Sequence, residues 1–161
     1  MLATNRIMIE PVNTEEGYHL LQMKYKNLHD WPPFSLKALL PFYLEQINND
    51  PSVIGYGPWL IKGANKKELI GSVSFKGKPN SLGEIDIGYH IITQYRQKGY
   101  ATEAVQLLTD WALSQLEVNA ITASCSIDNT SSQTVLIRNN FFKVDEVGEW
   151  LVYNKSKNNL L

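Results

Sequence analysis

Residues Arg96, Gln97, Lys98 and Gly99 separate a strand pattern from a helix pattern, and their types suit an anion. The first NH groups of a helix beginning at Tyr100 lack intrahelical partners, and they sit at the positive end of its dipole. A phosphate placed there would meet backbone donors, and Arg96 and Lys98 would add charge. Gly99 lets the backbone pass close to an anion, and Ala101 lets the helix start pack tightly. Just upstream, Glu84, Asp86, Gly88 and His90 fall on one face of the preceding strand, because side chains alternate along a strand. Two carboxylates and a histidine on one face are groups that could handle a proton. The glycine spacing is R-x-x-G-x-A, with neither G-x-x-x-x-G-K-[ST] nor G-x-G-x-x-G, so the two common nucleotide loops are excluded. The spacing alone leaves a plain turn and a phosphate cradle both open.

These residues need elements to position them. Residues 6–12 read as a first strand with Ile7 and Ile9 on one side, and Asn13 or Thr14 is placed to cap a helix in which Tyr18, Leu21, Tyr25 and Leu28 recur. Ser35 is expected to cap a second helix carrying Leu36, Leu39, Leu40, Tyr43, Leu44 and Ile47, kinked or split by Pro41. After a turn-rich loop over 48–58, residues 59–62 and 69–75 form a hairpin around Lys66 and Lys67, and 84–92 continues the sheet with Ile85, Ile87, Tyr89 and Ile91 on its apolar face. Ala101, Ala104, Val105, Leu108, Trp111 and Ala112 make one stripe of a helix ending near Leu116. Ile121, Ala123, Cys125 and Ile127 alternate as a strand, and Asp128, Asn129 and Thr130 are cap candidates for a short helix with Val135 and Leu136 inward. Residues 141–147 and 149–153 close the chain as a hairpin around Gly148, leaving a polar, frayed tail from 154 to 161.

The elements add up to a mixed α/β domain spanning 1–161, with a helix on each side of a partly antiparallel sheet. The unit from 83 to 127 is a crossover between parallel neighbours. That puts the anion turn at a strand's C-terminal end. The 161 residues suit one domain, and 15 basic against 16 acidic residues give a net charge of -1 and no bulk attraction to nucleic acid or acidic membranes. No apolar run spans a bilayer, and the single Cys125 points to a reducing compartment, so a cytoplasmic protein is expected, monomeric or a homodimer. Cys125 falls in the apolar register and reads as buried and inert.

YRQKGYATEA, followed one helix and one strand later by DNTSSQTVLIRNNF, resembles the two coenzyme-binding motifs of the Gcn5-related N-acetyltransferase (GNAT) superfamily. TNRIMIEPV and EIDIGYHI resemble the first and central strands of its ribosomal-protein N-terminal acetyltransferase branch (RimJ/RimL type). The resemblance implies a mostly antiparallel, splayed sheet holding acetyl-CoA in a wedge, with no metal. The pyrophosphate would lie on the amides of Gln97, Lys98, Gly99, Tyr100, Ala101 and Thr102, and backbone near Ile91 and Thr93 would pair with the pantetheine arm. Asn129 would bond that arm or serve only as a cap, and Arg138 would meet the ribose phosphate or its own helix terminus. Asn140 stands where the family has glycine, and asparagine tolerates the left-handed conformation that a helix end needs there.

The implied reaction is direct attack of an amine on the thioester. It needs a base, an oxyanion donor and an acid for the thiolate. The backbone near Ile91 can supply the donor. The acid position of many relatives is Leu136 here, so a tyrosine acid is missing at that point, and Ser132 is the residue expected near the sulfur. Asp86 and Glu84 are the candidate bases, with His90 a third. Trp31, Phe34, Phe42, Tyr43 and Tyr56 offer either an aromatic wall for the acceptor or core. Peptide amino termini, small amines and aminoglycoside-like molecules remain open as acceptors. From another class, a catalytically silent acyl-CoA-binding or interaction protein would keep the anion turn and lack the acid.

Overall fold

Eight strands form one twisted sheet in the computed structural model, which describes residues 1–22 and 29–160. In chain order the elements are β1 (Leu2–Ala3), β2 (Ile7–Pro11), α1 (Thr14–Leu21), α2 (Phe34–Asn49), β3 (Pro58–Gly63), β4 (Leu69–Phe75), β5 (Glu84–Ile91), α3 (Tyr100–Ser114), β6 (Ala120–Ser126), α4 (Thr130–Arg138), β7 (Phe142–Val147) and β8 (Trp150–Ser156). The sheet order is β1-β2-β3-β4-β5-β6-β8-β7, antiparallel throughout except for the β5·β6 pair. The parallel pair is the one bridged by α3, as the crossover expectation required.

Period-two sequence puts one side of the strands against α3 and the other against α2. Ile7, Ile9, Ile61, Val73, Phe75, Ile85 and Ile87 bury against Ala104, Val105 and Leu108 of α3. On the opposite face Leu36, Leu40, Tyr43, Leu44 and Ile47 of α2 bury with Val12, Leu20 and Leu60. A fully buried Leu or Ile contributes about 1.5–3 kcal/mol, so each helix is held chiefly by its stripe. Cys125 is buried, and burial raises its pKa, in line with an inert thiol. Among the described residues no helix is long and apolar enough to cross a membrane.

Several local expectations change. Asn13 caps α1, its side chain accepting from Glu16 N at 2.9 Å, but Tyr25 and Leu28 lie outside the described residues. Helix α2 starts one residue before Ser35, with Pro33 at the N-cap and no side-chain cap bond. Pro41 does not split α2: it stands on the exposed face, where water can serve the carbonyl left without an NH donor. Residues 154–160 are not a frayed tail. Strand β8 runs on to Ser156, pairing Asn154, Lys155 and Ser156 with Thr122, Ile121 and Ala120 of β6, and a short 3-10 turn follows at Lys157–Leu160. The polar composition misleads because Lys155 occupies an apolar register. Its stem is buried while Nζ reaches Thr109 Oγ1 at 3.1 Å and Asp110 Oδ1 at 3.7 Å, and desolvation lowers its pKa.

Candidate active site

The parallel ladder between β5 and β6 is short. It pairs Glu84, Ile85 and Asp86 with Ala120, Ile121 and Thr122 and stops there, although β5 continues to Ile91 and β6 to Ser126. Beyond Asp86 the two strands therefore diverge. On the other side β5 remains paired to β4 through Ile91 opposite Gly71. Amides alternate in direction along a strand, and Ile92 N bonds Ile70 O on the β4 side, so the amides of Tyr89 and Ile91 face the gap.

The gap opens into a cleft of about 660 Å³ between the N-terminal turn of α3 and the length of α4. Ile91, Arg96, Gln97, Gly99, Tyr100, Ala101 and Thr102 line one side, and Asn129, Ser132 and Arg138 line the other. The anion turn is shaped by two left-handed residues, Gln97 at φ 59° and Gly99 at φ 84°. Gly99 is the N-cap of α3, and the nearest atom to a side chain placed there is Arg6 Nη2 at 3.5 Å. Arg6 was not singled out by the sequence, yet it organises this turn from β2's start. Its Nη2 donates to Lys98 O at 2.5 Å, its Nε meets Glu103 Oε1 at 2.7 Å, and its guanidinium lies 4.7 Å from the centre of the Tyr100 ring. Thr4 Oγ1 adds a 2.7 Å bond to Glu103 Oε2.

Helix α4 is tied at both ends. Asn129 Oδ1 accepts from Ser132 N at 3.0 Å, so the cap reading holds and uses the side-chain oxygen, and Asn129 also lines the cleft. At the other end Asn140, at φ 61°, completes a left-handed cap in which Asn140 N bonds Ile137 O and Phe141 N bonds Leu136 O, both at 3.0 Å. Buried Asn139 then joins α4 to α3 by donating to Thr102 O at 3.2 Å. Leu136 is core.

Other sequence candidates stand elsewhere. Thr93 does not line the cleft, and its amide, expected to face an extended ligand, donates to Asp30 Oδ2 at 3.0 Å. Lys98 turns away: its Nζ reaches back to Gln94 O at 3.2 Å and over the Tyr95 ring. Glu84 and Asp86 line neither this cleft nor the groove described next. Glu84 is near the start of β5, bonded to Asn80, and Asp86 pairs with Lys76 and accepts from Thr122 Oγ1 at 3.1 Å. Both belong to the closed part of the ladder, so neither carboxylate reaches the gap.

A second cavity, about 290 Å³, lies across β5 under α2. Tyr89 and His90 border both cavities. Tyr89, read from sequence as an apolar-face residue, sends its phenol across the gap to donate to Ser132 O at 3.2 Å, and burial pushes its pKa up to about 12. His90 Nε2 lies 3.3 Å from Asp30 Oδ2. Burial and the neighbouring Arg96 lower the His90 pKa further than Asp30 raises it, so the imidazole is neutral at pH 7. Asp30 itself also takes Thr93 Oγ1 at 2.8 Å and Arg96 Nη2 at 3.1 Å. Burial opposes its charge, but the Thr93 hydrogen bonds and His90 outweigh that and lower its pKa. Asp30 sits in a loop without periodicity, 63 and 66 residues from Thr93 and Arg96, and only the fold reveals it. Of the aromatic residues before β3, Trp31, Tyr43 and Tyr56 are core, whereas Phe34 and Phe42 are exposed. Among the described residues no group of three or more His, Cys, Asp or Glu is placed to hold a metal ion.

Comparison with known proteins agrees with this geometry. A family model described as an acetyltransferase (GNAT) domain matches residues 6–141. The chain is 33% identical over 168 residues to an uncharacterized N-acetyltransferase, p20, of Bacillus licheniformis, covering 99% of this chain and 90% of that one. It is 29% identical over 166 residues to the uncharacterized N-acetyltransferase YjdG of Bacillus subtilis (strain 168), covering 96% and 99%. Among solved structures, Mycobacterium smegmatis RimJ in complex with CoA-disulfide superimposes with a TM-score of 0.69 at 17% identity, covering 96% of this chain and 83% of that one.

Proposed function

The chain belongs to the GNAT acetyltransferase family, and we propose that this acetyl-CoA-dependent acetyltransferase transfers the acetyl group to a primary amine by direct attack. The observation that carries the reading is the meeting of two cavities at Tyr89 and His90, where β5 leaves β6. A long anionic coenzyme suits the larger one: the unpaired first-turn amides of α3 and the left-handed Gly99, with only the Arg6 guanidinium near where a side chain would stand, suit its pyrophosphate. Arg96, on the rim, adds charge, and Arg138, which lines the cleft from the last residue of α4, would meet a ribose phosphate. The exposed β5 edge at Tyr89 and Ile91 suits the pantetheine, with Asn129 Nδ2 donating from α4. RimJ of M. smegmatis, which has the same fold, was solved with a coenzyme A derivative.

Acetyl-CoA supplies the acetyl group as a thioester. The amine entering from the groove under α2 forms the new N–C bond, the C–S bond breaks, and its electron pair leaves with sulfur as thiolate. The amide of Tyr89 or Ile91 donates to the carbonyl oxygen as its charge grows. His90 takes the ammonium proton, since it is neutral and borders the groove. Asp30, whose Oδ2 lies 3.3 Å from Nε2, stabilises the imidazolium that forms when the proton arrives. The Glu84 and Asp86 alternatives lack access. Ser132 and Tyr89 face the sulfur's end of the cleft, but a phenol near 12 holds its proton against a thiol of ordinary pKa near 8.5. Both therefore act by hydrogen bonding to sulfur, Tyr89 by turning its single phenol proton from Ser132 O to the departing thiolate, and water restores the thiol. A cytoplasmic setting is part of the same reading, supported by the free, buried Cys125.

The test is release of coenzyme thiol from acetyl-CoA with matched amine and alcohol acceptors, alongside calorimetric binding of acetyl-CoA. Amine-dependent release is expected. Binding without turnover on any acceptor would instead favour a silent acyl-CoA-binding protein, and preference for alcohols would overturn the reading.

A further inference from the structure

We propose that the groove under α2 selects monoamines on a neutral, apolar body and rejects polyamines and aminoglycosides, with Gly88 as the residue that keeps its floor open. The proposal rests on the coenzyme reading above, because it takes the amine to approach from this side of β5.

The floor of the groove is made by cross-strand pairs of β4 and β5. Ser72 is opposite His90, Ser74 is opposite Gly88, and Lys76 closes the outer end beside Asp86. The wall is α2, through Ala38, Leu39 and exposed Phe42. Gly88 has no positive φ and nothing within 4 Å of where a Cβ would stand, so the backbone does not require glycine there. What its absent side chain leaves is room, at the step before His90.

Charge decides the class. Among the described residues the lining contains a cation, Lys76, and no carboxylate, and residues 23–28 contain no Asp or Glu in sequence. Two acids that contact lining residues are engaged, Asp86 with Lys76 and Thr122, and Asp30 with Thr93, Arg96 and His90. A second or third ammonium in such a groove would lose water and find no unpaired carboxylate to replace it, since the one cation of the lining, Lys76, already holds Asp86. An apolar body loses nothing there and gains contact with Leu39 and Phe42.

The experiment is a steady-state comparison of kcat/KM for phenethylamine, alanyl-phenylalaninamide, spermidine and kanamycin, on the wild type and on Gly88→Val. Acetyl-CoA affinity is measured in parallel by calorimetry. The two monoamines are expected to exceed spermidine and kanamycin at least about tenfold, and Gly88→Val to lower monoamine kcat/KM by about tenfold or more, the scale of one misfitted methylene or more. Coenzyme affinity should not change, which also shows that the variant is folded. As a second variant, Phe42→Ala should raise KM for phenethylamine more than for alanyl-phenylalaninamide's free amine end at equal coenzyme affinity. Preference for spermidine or kanamycin with coenzyme bound, no turnover of either monoamine, or unaltered kinetics in both variants would overturn the groove assignment. Failure of the wild type to bind acetyl-CoA would overturn the coenzyme reading and, with it, this one.

Discussion

The two cavities that meet at β5 are built in different ways. The coenzyme cleft is made from stretches contiguous in sequence, the turn from Arg96 to Thr102 and the short helix from Asn129 to Arg138, and much of its chemistry is backbone: amides, a left-handed glycine, a capped helix. The groove under α2 is made from single side chains, alternate residues of β4 and β5 and one face of α2, with Asp30 reaching in behind His90. A backbone site tolerates side-chain drift and is vulnerable at its conformational points. A side-chain site is the reverse, so substrate choice can change on the second without disturbing the first.

The sharpest way to break this contrast is at Gly99. Gly99→Glu must place a β-carbon on a left-handed residue, costing roughly 1–2 kcal/mol, and set a carboxylate against the pyrophosphate, where like charges about 4 Å apart cost about 4 kcal/mol in a partly solvated site. Acetyl-CoA affinity should fall by about a thousandfold or more in a calorimetric titration. Retained affinity would mean that the turn is not the phosphate site.

Next in size is His90, on the other side of the junction. His90→Gln should lower kcat by about a hundredfold, within the usual range of a positioned base, with acetyl-CoA affinity intact. The pH dependence carries the sign. Burial and Arg96 hold the His90 pKa below its ordinary value of about 6.5, so the proton-accepting form persists through neutrality and kcat should fall only as pH drops below that value. Asp30 raises this pKa, so Asp30→Asn should move the falling limb to still lower pH. A shift in the other direction would show that Asp30 does not act through His90.

The same contrast explains what could be read from the chain before it was folded. The local shape of the larger cleft was legible because its residues are neighbours: Gly99 after a strand and before an apolar stripe, Asn129 three residues ahead of the amide that it caps. Even there, direction was not. Lys98 faces backward to Gln94, and the Thr93 amide goes to Asp30, because a side chain's heading depends on distant partners. On the other side, a shared face did not mean shared access. Glu84, Asp86 and His90 do share one face of β5, but the ladder with β6 closes over the first two and opens before the third. The place where two strands part leaves no mark in their period.

A smaller effect separates positioning from contact within the coenzyme half. Arg6 lines neither cavity, yet it holds Lys98 O and Glu103 and so fixes the turn that presents the α3 amides. Arg6→Gln keeps a hydrogen-bonding group and removes the charge. The ion pair is partly exposed, so its loss should cost no more than about 1 kcal/mol of stability. KM for acetyl-CoA should nonetheless rise several-fold, on the order of RT ln 5 in binding, while KM for the amine stays as it was. An equal rise in both would mean that Arg6 supports the sheet as a whole and not the turn.

The smallest expected change lies where the two halves touch. Ser132 caps nothing with its hydroxyl in the α4 N-terminal turn; its backbone N bonds Asn129 and its carbonyl takes the Tyr89 phenol. Ser132→Ala therefore preserves the helix start and the Tyr89 contact and removes only the hydroxyl that borders the cleft. A neutral hydrogen bond to the departing sulfur is worth roughly 1 kcal/mol, so kcat should fall about fivefold with acetyl-CoA affinity unchanged. Tyr89→Phe should give a loss of similar size if both groups serve the same sulfur, and the double variant should lose less than the product of the two. Multiplicative losses would show that the phenol and the hydroxyl serve different atoms, and the sulfur contact would then belong to only one of them.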